Sequence, residues 1–247
     1  MLIVGNLKSY ITSTSDFDGV MRAANRLSGS KKHTLLMAAP FPYLGRAATK
    51  KSKAGLVAQD ISVYEPGAHT GEVTAELLCD LGVSHVLVGH SERRALGEGN
   101  VVVTQKVKRA IEGGLSVILA VGETQRDLHG NYLAQVKEDI ITPLSAIDEK
   151  MLRNITLAYE PVWAIGKSAD EAITPGDLEE MLLYIRKILY DHFGEQVGKR
   201  IKIIYGGSVN AGNVASLIVP HLDGFLPGRA SSTADSLTAL IKSINDA

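Results

Sequence analysis

The chain has 247 residues, 45% hydrophobic and 21% charged, an ordinary globular balance that excludes a disordered chain and can bury a large core. Lys and Arg number 26 against 27 Asp and Glu, and a net charge of -1 excludes the broad basic field that gathers nucleic acid or anionic membrane. Nowhere do about 18 apolar residues run together, the start MLIVGNLKSY lacks a signal-like n-region, and the single cysteine, Cys79, has no intrachain partner; a soluble cytoplasmic protein is expected.

Short apolar runs rich in β-branched residues recur along the chain, with longer segments of helical period between them. In order they are Leu2–Val4, Thr34–Ala39, Gly55–Ala58, His85–Val88, Ser116–Val121, Ile155–Ala158, Ile201–Ile204 and Leu222–Leu226. Most show little polar alternation, as strands buried on both faces of a parallel sheet do. Among the intervening segments, Thr174-Pro175 reads as a cap followed by proline at the first helical position, opening LEEMLLYIRKIL. Asn210 reads as the cap of a helix through Ile218, and Thr233 or Ser231 as the cap of the last helix. No linker, low-complexity tract or repeat beyond this alternation divides the chain. Eight strand–helix units therefore predict one α/β domain over residues 1–247, a closed (β/α)8 barrel rather than an open doubly wound sheet.

Polar residues follow the runs. Asn6 and Lys8 come after the first, Gln59 and Asp60 after the third, and His90, Ser91 and Glu92 after the fourth. Glu123 follows the fifth, Glu160 the sixth, Gly206-Gly207-Ser208 the seventh and Gly228-Arg229 the eighth. In a barrel these strand ends open on one face, where barrel enzymes keep their active sites. Each residue also has a structural reading: Glu160 as a loop carboxylate before Pro161, Lys8 as a solvated turn lysine, His90 as a capping or packed histidine. The glycine turns suit an anion held on main-chain N–H groups, although a glycine pair alone is more often a tight turn. Gly166-Lys167-Ser168 is not a nucleotide P-loop, because Pro161 stands where that motif needs glycine. The histidines show no metal-ligand spacing, and Cys79, in a helix-like stretch without a base nearby, is expected to be a buried, inert thiol.

The stretches GNLK, AQD, AHTGE, VGHSERR, VGET, AYEPVWAIG, YGGSV and DGFL, in this order over the whole chain, closely resemble the triosephosphate isomerase family. The resemblance implies a dimeric TIM barrel that interconverts dihydroxyacetone phosphate and glyceraldehyde 3-phosphate through an enediolate, without cofactor or metal. By motif position it implies Glu160 as the base, His90 as the group that polarises the carbonyl, Lys8 as the cation offsetting developing charge, and Asn6 as a holder of substrate oxygen. Glu92 matches the acidic neighbour of that lysine. Main-chain N–H groups of Gly166, Ser208, Gly228 and Arg229 would hold the phosphate, and the AHTGE loop around Thr70 would reach into the neighbouring subunit. This family is itself a standard worked example of a glutamate base with a neutral histidine beneath a closing loop.

The chain departs from the family pattern in places. The loop tip is Lys167-Ser168-Ala169 instead of Thr-Gly-Lys, and the last phosphate turn is Gly228-Arg229 instead of Gly-Gly. Leu7, Ser9, Tyr10 and Ala120 replace the family's common residues, and Ala95–Glu98 runs about one residue short. Two further readings remain at this level: an isomerase of a four-carbon ketose phosphate, prompted by Arg229 and the loop tip, and a catalytically silent barrel that binds a partner.

Overall fold

The structure, a computed structural model, describes residues 1–29, 32–50, 52–165 and 172–247. Among these, the strands are β1 (Leu2–Asn6), β2 (Thr34–Ala39), β3 (Gly55–Ala58), β4 (His85–Val88), β5 (Ser116–Val121), β6 (Ile155–Tyr159), β7 (Lys202–Tyr205) and β8 (Gly224–Phe225). All pair in parallel with their sequence neighbours, and β8 closes on β1 through Leu2–Gly224 and Ile3–Phe225. The helices are α1 (Thr14–Ser28), α2 (Phe41–Thr49), α3 (Ala75–Asp80), α4 (Ser91–Ala95), α5 (Asn100–Glu112), α6 (Asn131–Ser145), α7 (Pro175–Arg200) and α8 (Ala234–Asp246). The expected (β/α)8 barrel is the observed fold.

Strand parity divides the core in two. Leu2, Val4, Leu36, Ala38, Val57, Leu87, Ile118, Ala120, Ala158, Ile204 and Leu226 form one cluster that fills the barrel. The alternate residues, including Ile3, Met37, Leu119 and Ile203, join a second cluster with the helices. This is the two-residue period of a strand buried on both faces. Carried to the end of β1 and just past the ends of the other strands, the inward parity reaches Asn6 after Val4, Gln59 after Val57, Gly122 after Ala120, Glu160 after Ala158, Gly206 after Ile204 and Gly228 after Leu226. The barrel's own geometry therefore turns these residues toward its mouth.

Local signals read from the sequence explain several elements. The Thr174 hydroxyl accepts from the Asp177 N–H with Pro175 at the first helical position, and α7 breaks at Gly194, whose φ is 81°. Thr233, not Ser231, caps α8, in a reciprocal box with Ser236. The expected helix from Asn210 to Ile218 does not form; residues 211–217 are successive turns. There the Asn210 side chain accepts from Gly212 N–H at 2.8 Å, while Asn213 accepts from Asn210 N–H and donates to the Ser208 carbonyl at 2.9 Å. Short amides bonding to nearby backbone compete with helix formation. β8 is shorter than the run Leu222–Leu226, and a Cβ at Gly224 would lie 1.8 Å from the Leu2 carbonyl oxygen, so β1 leaves room there only for glycine.

Cys79 corrects another expectation. It is exposed on α3, because the buried face of that short helix is taken by Ala75 and Leu78. Its Sγ donates to the Gly113 carbonyl at 3.2 Å, and partial desolvation, then the charge of Glu76, pushes the thiol up, so little of it is nucleophilic thiolate.

Candidate active site

Two adjoining clefts open at the carboxyl ends of the strands and share Lys8, Tyr10 and His90. One, of about 560 Å³, is lined by Asn6, Gln59, Asp60 and Glu92 among others; the second, of about 530 Å³, by Gly206–Gly212, Gly228 and Arg229. The expected site residues from β1, β4, β7 and β8 line these clefts, and Glu160 at the end of β6, which lines neither, lies buried behind His90.

Asn6 ends β1 and is 3% exposed. Its Oδ1 accepts from the Lys8 N–H at 3.0 Å, which folds the chain back so that Lys8 takes a φ of +43°. A non-glycine residue in that region is held there by its surroundings. Gln59 supplies the hold: its Nε2 lies 3.1 Å from the Lys8 carbonyl and 3.0 Å from that of Ala38. The Lys8 ammonium donates to Glu92 Oε1 at 2.7 Å, so it is aimed across the mouth toward α4.

His90 stands at the start of α4 and is both cap and packed side chain, as its structural reading expected. Its Nδ1 accepts from the Glu92 N–H at 3.2 Å. An acceptor nitrogen carries no proton, so the single proton of the ring is on Nε2. The Glu92 carboxylate lies 3.7 Å from the same Nδ1, too far for a hydrogen bond. Nε2 faces the Glu160 carboxylate, 3.4 Å from Oε1.

Glu160 is 1% exposed. Its Oε2 accepts from the Ser91 N–H at 3.3 Å, and Oε1 has no hydrogen-bond partner of its own. A carboxylate oxygen this deeply buried and left open costs stability. Space for Glu160, main chain and side chain, comes from two glycines. A Cβ on Gly122 would meet the Glu160 carbonyl oxygen at 2.0 Å, and one on Gly206 would meet Glu160 Cγ at 2.7 Å.

Beyond Glu160 the chain is anchored on Glu123, which is fully buried. One oxygen, Oε1, accepts from the Tyr159 hydroxyl at 2.9 Å, Trp163 Nε1 at 2.8 Å and Arg126 Nε at 3.0 Å. The Arg126 guanidinium also lies over the Trp163 ring, 4.9 Å from its centroid. Burial first, then the charge of Glu123, pushes the Tyr159 hydroxyl far above its usual range, which keeps it a donor. These contacts fix where residues 160–165 leave the barrel. The expected phosphate ligand Gly166 and the tip Lys167-Ser168-Ala169 lie outside the described residues.

On the other side of the mouth, Ser208 Oγ donates to the Ala164 carbonyl at 2.9 Å. The Gly228-Arg229 turn is supported from beneath by fully buried Ser231, whose hydroxyl lies 2.7 Å from the Gly228 carbonyl. Thr70 is away from this mouth, on an exposed loop closed at its base by Ser62 N–H to Val73 and stiffened by the Tyr64–His69 stack at 4.0 Å. Sequence reasoning noted Gln59 without a role and missed the Ser91 N–H, the space-making Gly122 and Gly206, and Ser231; strand parity was the available signal for Gln59 and the two glycines.

The family model for triosephosphate isomerase matches residues 1–244. The chain belongs to the triosephosphate isomerase family. It is 38% identical over 245 residues to a triosephosphate isomerase of Carboxydothermus hydrogenoformans, covering 97% of each chain. It is 41% identical over 248 residues to one of Bradyrhizobium sp. (strain ORS 278), covering 98% of this chain and 96% of that protein. A third, from Thermus thermophilus, is 36% identical over 248 residues and 98% of each chain. The resemblance read from the motifs is therefore one of membership along nearly the whole length. Among the described residues, no group of three or more His, Cys, Asp or Glu is placed to hold a metal ion, and no helix is long and apolar enough to cross a membrane.

Proposed function

We propose that this chain interconverts dihydroxyacetone phosphate and D-glyceraldehyde 3-phosphate, with residues 1–247 working as one domain. The observation that carries this is the convergence, at one mouth, of the open Glu160 carboxylate oxygen with His90 Nε2 3.4 Å away and the aimed Lys8 ammonium. In this reaction Glu160 takes a proton from one substrate carbon and returns it to the next, so the electron pair left behind forms an enediolate. The Nε2–H of His90 donates to the oxygen that gains charge, and the Lys8 ammonium offsets that charge from the other side. Asn6 is a positioning residue in this scheme: it orders the backbone on which Lys8 sits. Glu92 positions both partners, its N–H setting the His90 tautomer and its carboxylate holding Lys8.

The phosphate belongs in the second cleft, on main-chain N–H groups of Ser208, Gly228 and Arg229, with Gly166 completing the set. Glycine at 228 supports this, since Lys8 Cε lies only 3.3 Å from where a Cβ would stand. Covering the mouth keeps water from the enediolate and suppresses loss of its phosphate. No observation favours the four-carbon or silent-barrel readings.

The proposed assembly is a homodimer in which the Thr70 loop covers the first cleft of its partner, and the proposed location is the cytoplasm. Exposed Tyr10, Phe41 and Leu96 line that cleft, an apolar rim that a second copy would cover. A coupled assay with glyceraldehyde 3-phosphate tests the activity. Wild type turns over, and Glu160→Gln loses on the order of 10³-fold in kcat while still binding inorganic phosphate; near-wild-type turnover in that variant sinks the base assignment.

A further inference from the structure

The second cleft has an electrostatic feature that main-chain phosphate binding leaves unexplained. Two permanent cations line it, Lys8 and Arg229, and none of its lining residues is Asp or Glu. Lys8 is already committed to Glu92. Arg229 is exposed, and among the described residues its guanidinium forms neither a salt bridge nor a hydrogen bond. Other arginines are paired, Arg46 with Asp18, Arg93 with Asp60, Arg126 with Glu123 and Asp177, and Arg186 with Asp223, while Arg22, Arg153 and Arg200 share with Arg229 the lack of a salt bridge among the described residues but line neither cleft. Below Arg229, the buried Ser231 hydroxyl holds the carbonyls of Pro227 and Gly228, so the backbone from which the guanidinium extends is fixed rather than free.

We propose that the Arg229 side chain is a specificity-determining phosphate ligand: its guanidinium closes on the dianion as a planar fork, in addition to the main-chain donors of the same turn. This inference rests on the isomerase reading of the cleft. An unpaired guanidinium beside an acid-free, N–H-rich cleft selects a tetrahedral dianion over a neutral or singly charged group, because it adds charge and two parallel donors at once. Its exposure limits the gain, since water screens the charge.

The test uses inorganic phosphate as the probe, titrated by calorimetry and as a competitive inhibitor of the full-length enzyme. Arg229→Gln keeps a polar side chain and the main-chain N–H and removes the charge and the fork. It is expected to bind inorganic phosphate roughly fivefold to tenfold more weakly, with a matching rise in KM and little change in kcat. Arg229→Lys, which restores charge without the fork, recovers part of the affinity, and wild-type binding falls more steeply with added chloride than binding to Arg229→Gln. Phosphate affinity in Arg229→Gln equal to wild type, with an equal salt dependence, overturns the proposal. An inactive wild type that still binds phosphate through Arg229 overturns the isomerase reading and leaves the phosphate ligand standing.

Discussion

Gly206 and Glu160 occupy neighbouring strand ends so closely that a Cβ on Gly206 would stand 2.7 Å from Glu160 Cγ and 3.2 Å from Oε1. The main-chain N–H of Gly206 continues the ladder by donating to the Tyr159 carbonyl at 2.8 Å, so that strand end cannot move aside to admit a methyl group. Gly206→Ala must therefore displace the carboxylate while leaving the barrel intact. A displacement of about 1 Å at a reacting group costs on the order of 10²-fold, and we expect that loss in kcat with little change in the melting curve followed by circular dichroism. Gly122→Ala behaves oppositely, since its Cβ would meet the Glu160 carbonyl oxygen at 2.0 Å, where only backbone can give; the expected outcome is loss of folded protein. An active, stable Gly122→Ala variant contradicts this packing.

Glu123 is predicted to be a stability residue that acts on the active site through the backbone. Its one oxygen satisfies Tyr159, Trp163 and Arg126. Glu123→Leu leaves the Tyr159 hydroxyl and Trp163 N–H without that acceptor and Arg126 with Asp177, 3.3 Å away, as its remaining carboxylate partner. Removing one partner of a buried charge pair costs about 3 kcal/mol, read as a lower urea midpoint at unchanged slope. Glu123→Gln keeps an acceptor oxygen and loses less; equal losses in the two variants would count against the hydrogen bonds as the cause.

Acid sensitivity is predicted beside the first cleft. Burial pushes the Glu98 carboxyl up, but hydrogen bonds from Lys106 and Arg93 outweigh it and hold the group below its ordinary value. The folded state therefore favours the ionised form. That stability is fully present above the unfolded value of about 4.3 and is lost as pH falls through the lower folded value. In urea titrations, wild type should exceed Glu98→Gln at pH 7, and the gap should narrow as pH falls below the unfolded value toward the lower folded one. A gap that is constant with pH would show that Glu98 acts by packing alone.

Much of this was legible in the chain itself because its signals are local. Six strand positions agree with the apolar runs at their starts, and β7 begins one residue later than expected, because two-sided burial leaves a continuous apolar signature. Thr174-Pro175 predicted α7 because capping depends on a few adjacent residues. Asn210 misled for the same reason: a cap residue was present, but Asn213, equally local, offered the backbone a competing set of bonds.

Sequence by itself determined the barrel, the motifs of the family and the identity of the polar residues at each strand end, since periodicity and short motifs are properties of neighbouring residues. Tertiary structure decided which of those residues meet. Residues 90 and 160 come within 3.4 Å only because β4, β5 and β6 pair in register, and Gly122 leaves room for the Glu160 backbone and Gly206 for its carboxylate only because the barrel closes around them. It also exposed Cys79 and set Arg229 in a cleft without acids, outcomes that depend on which face of a short helix is covered and on which charges lie across space. Distances between strand ends are set by packing and closure of the whole sheet, and no stretch of chain carries them alone.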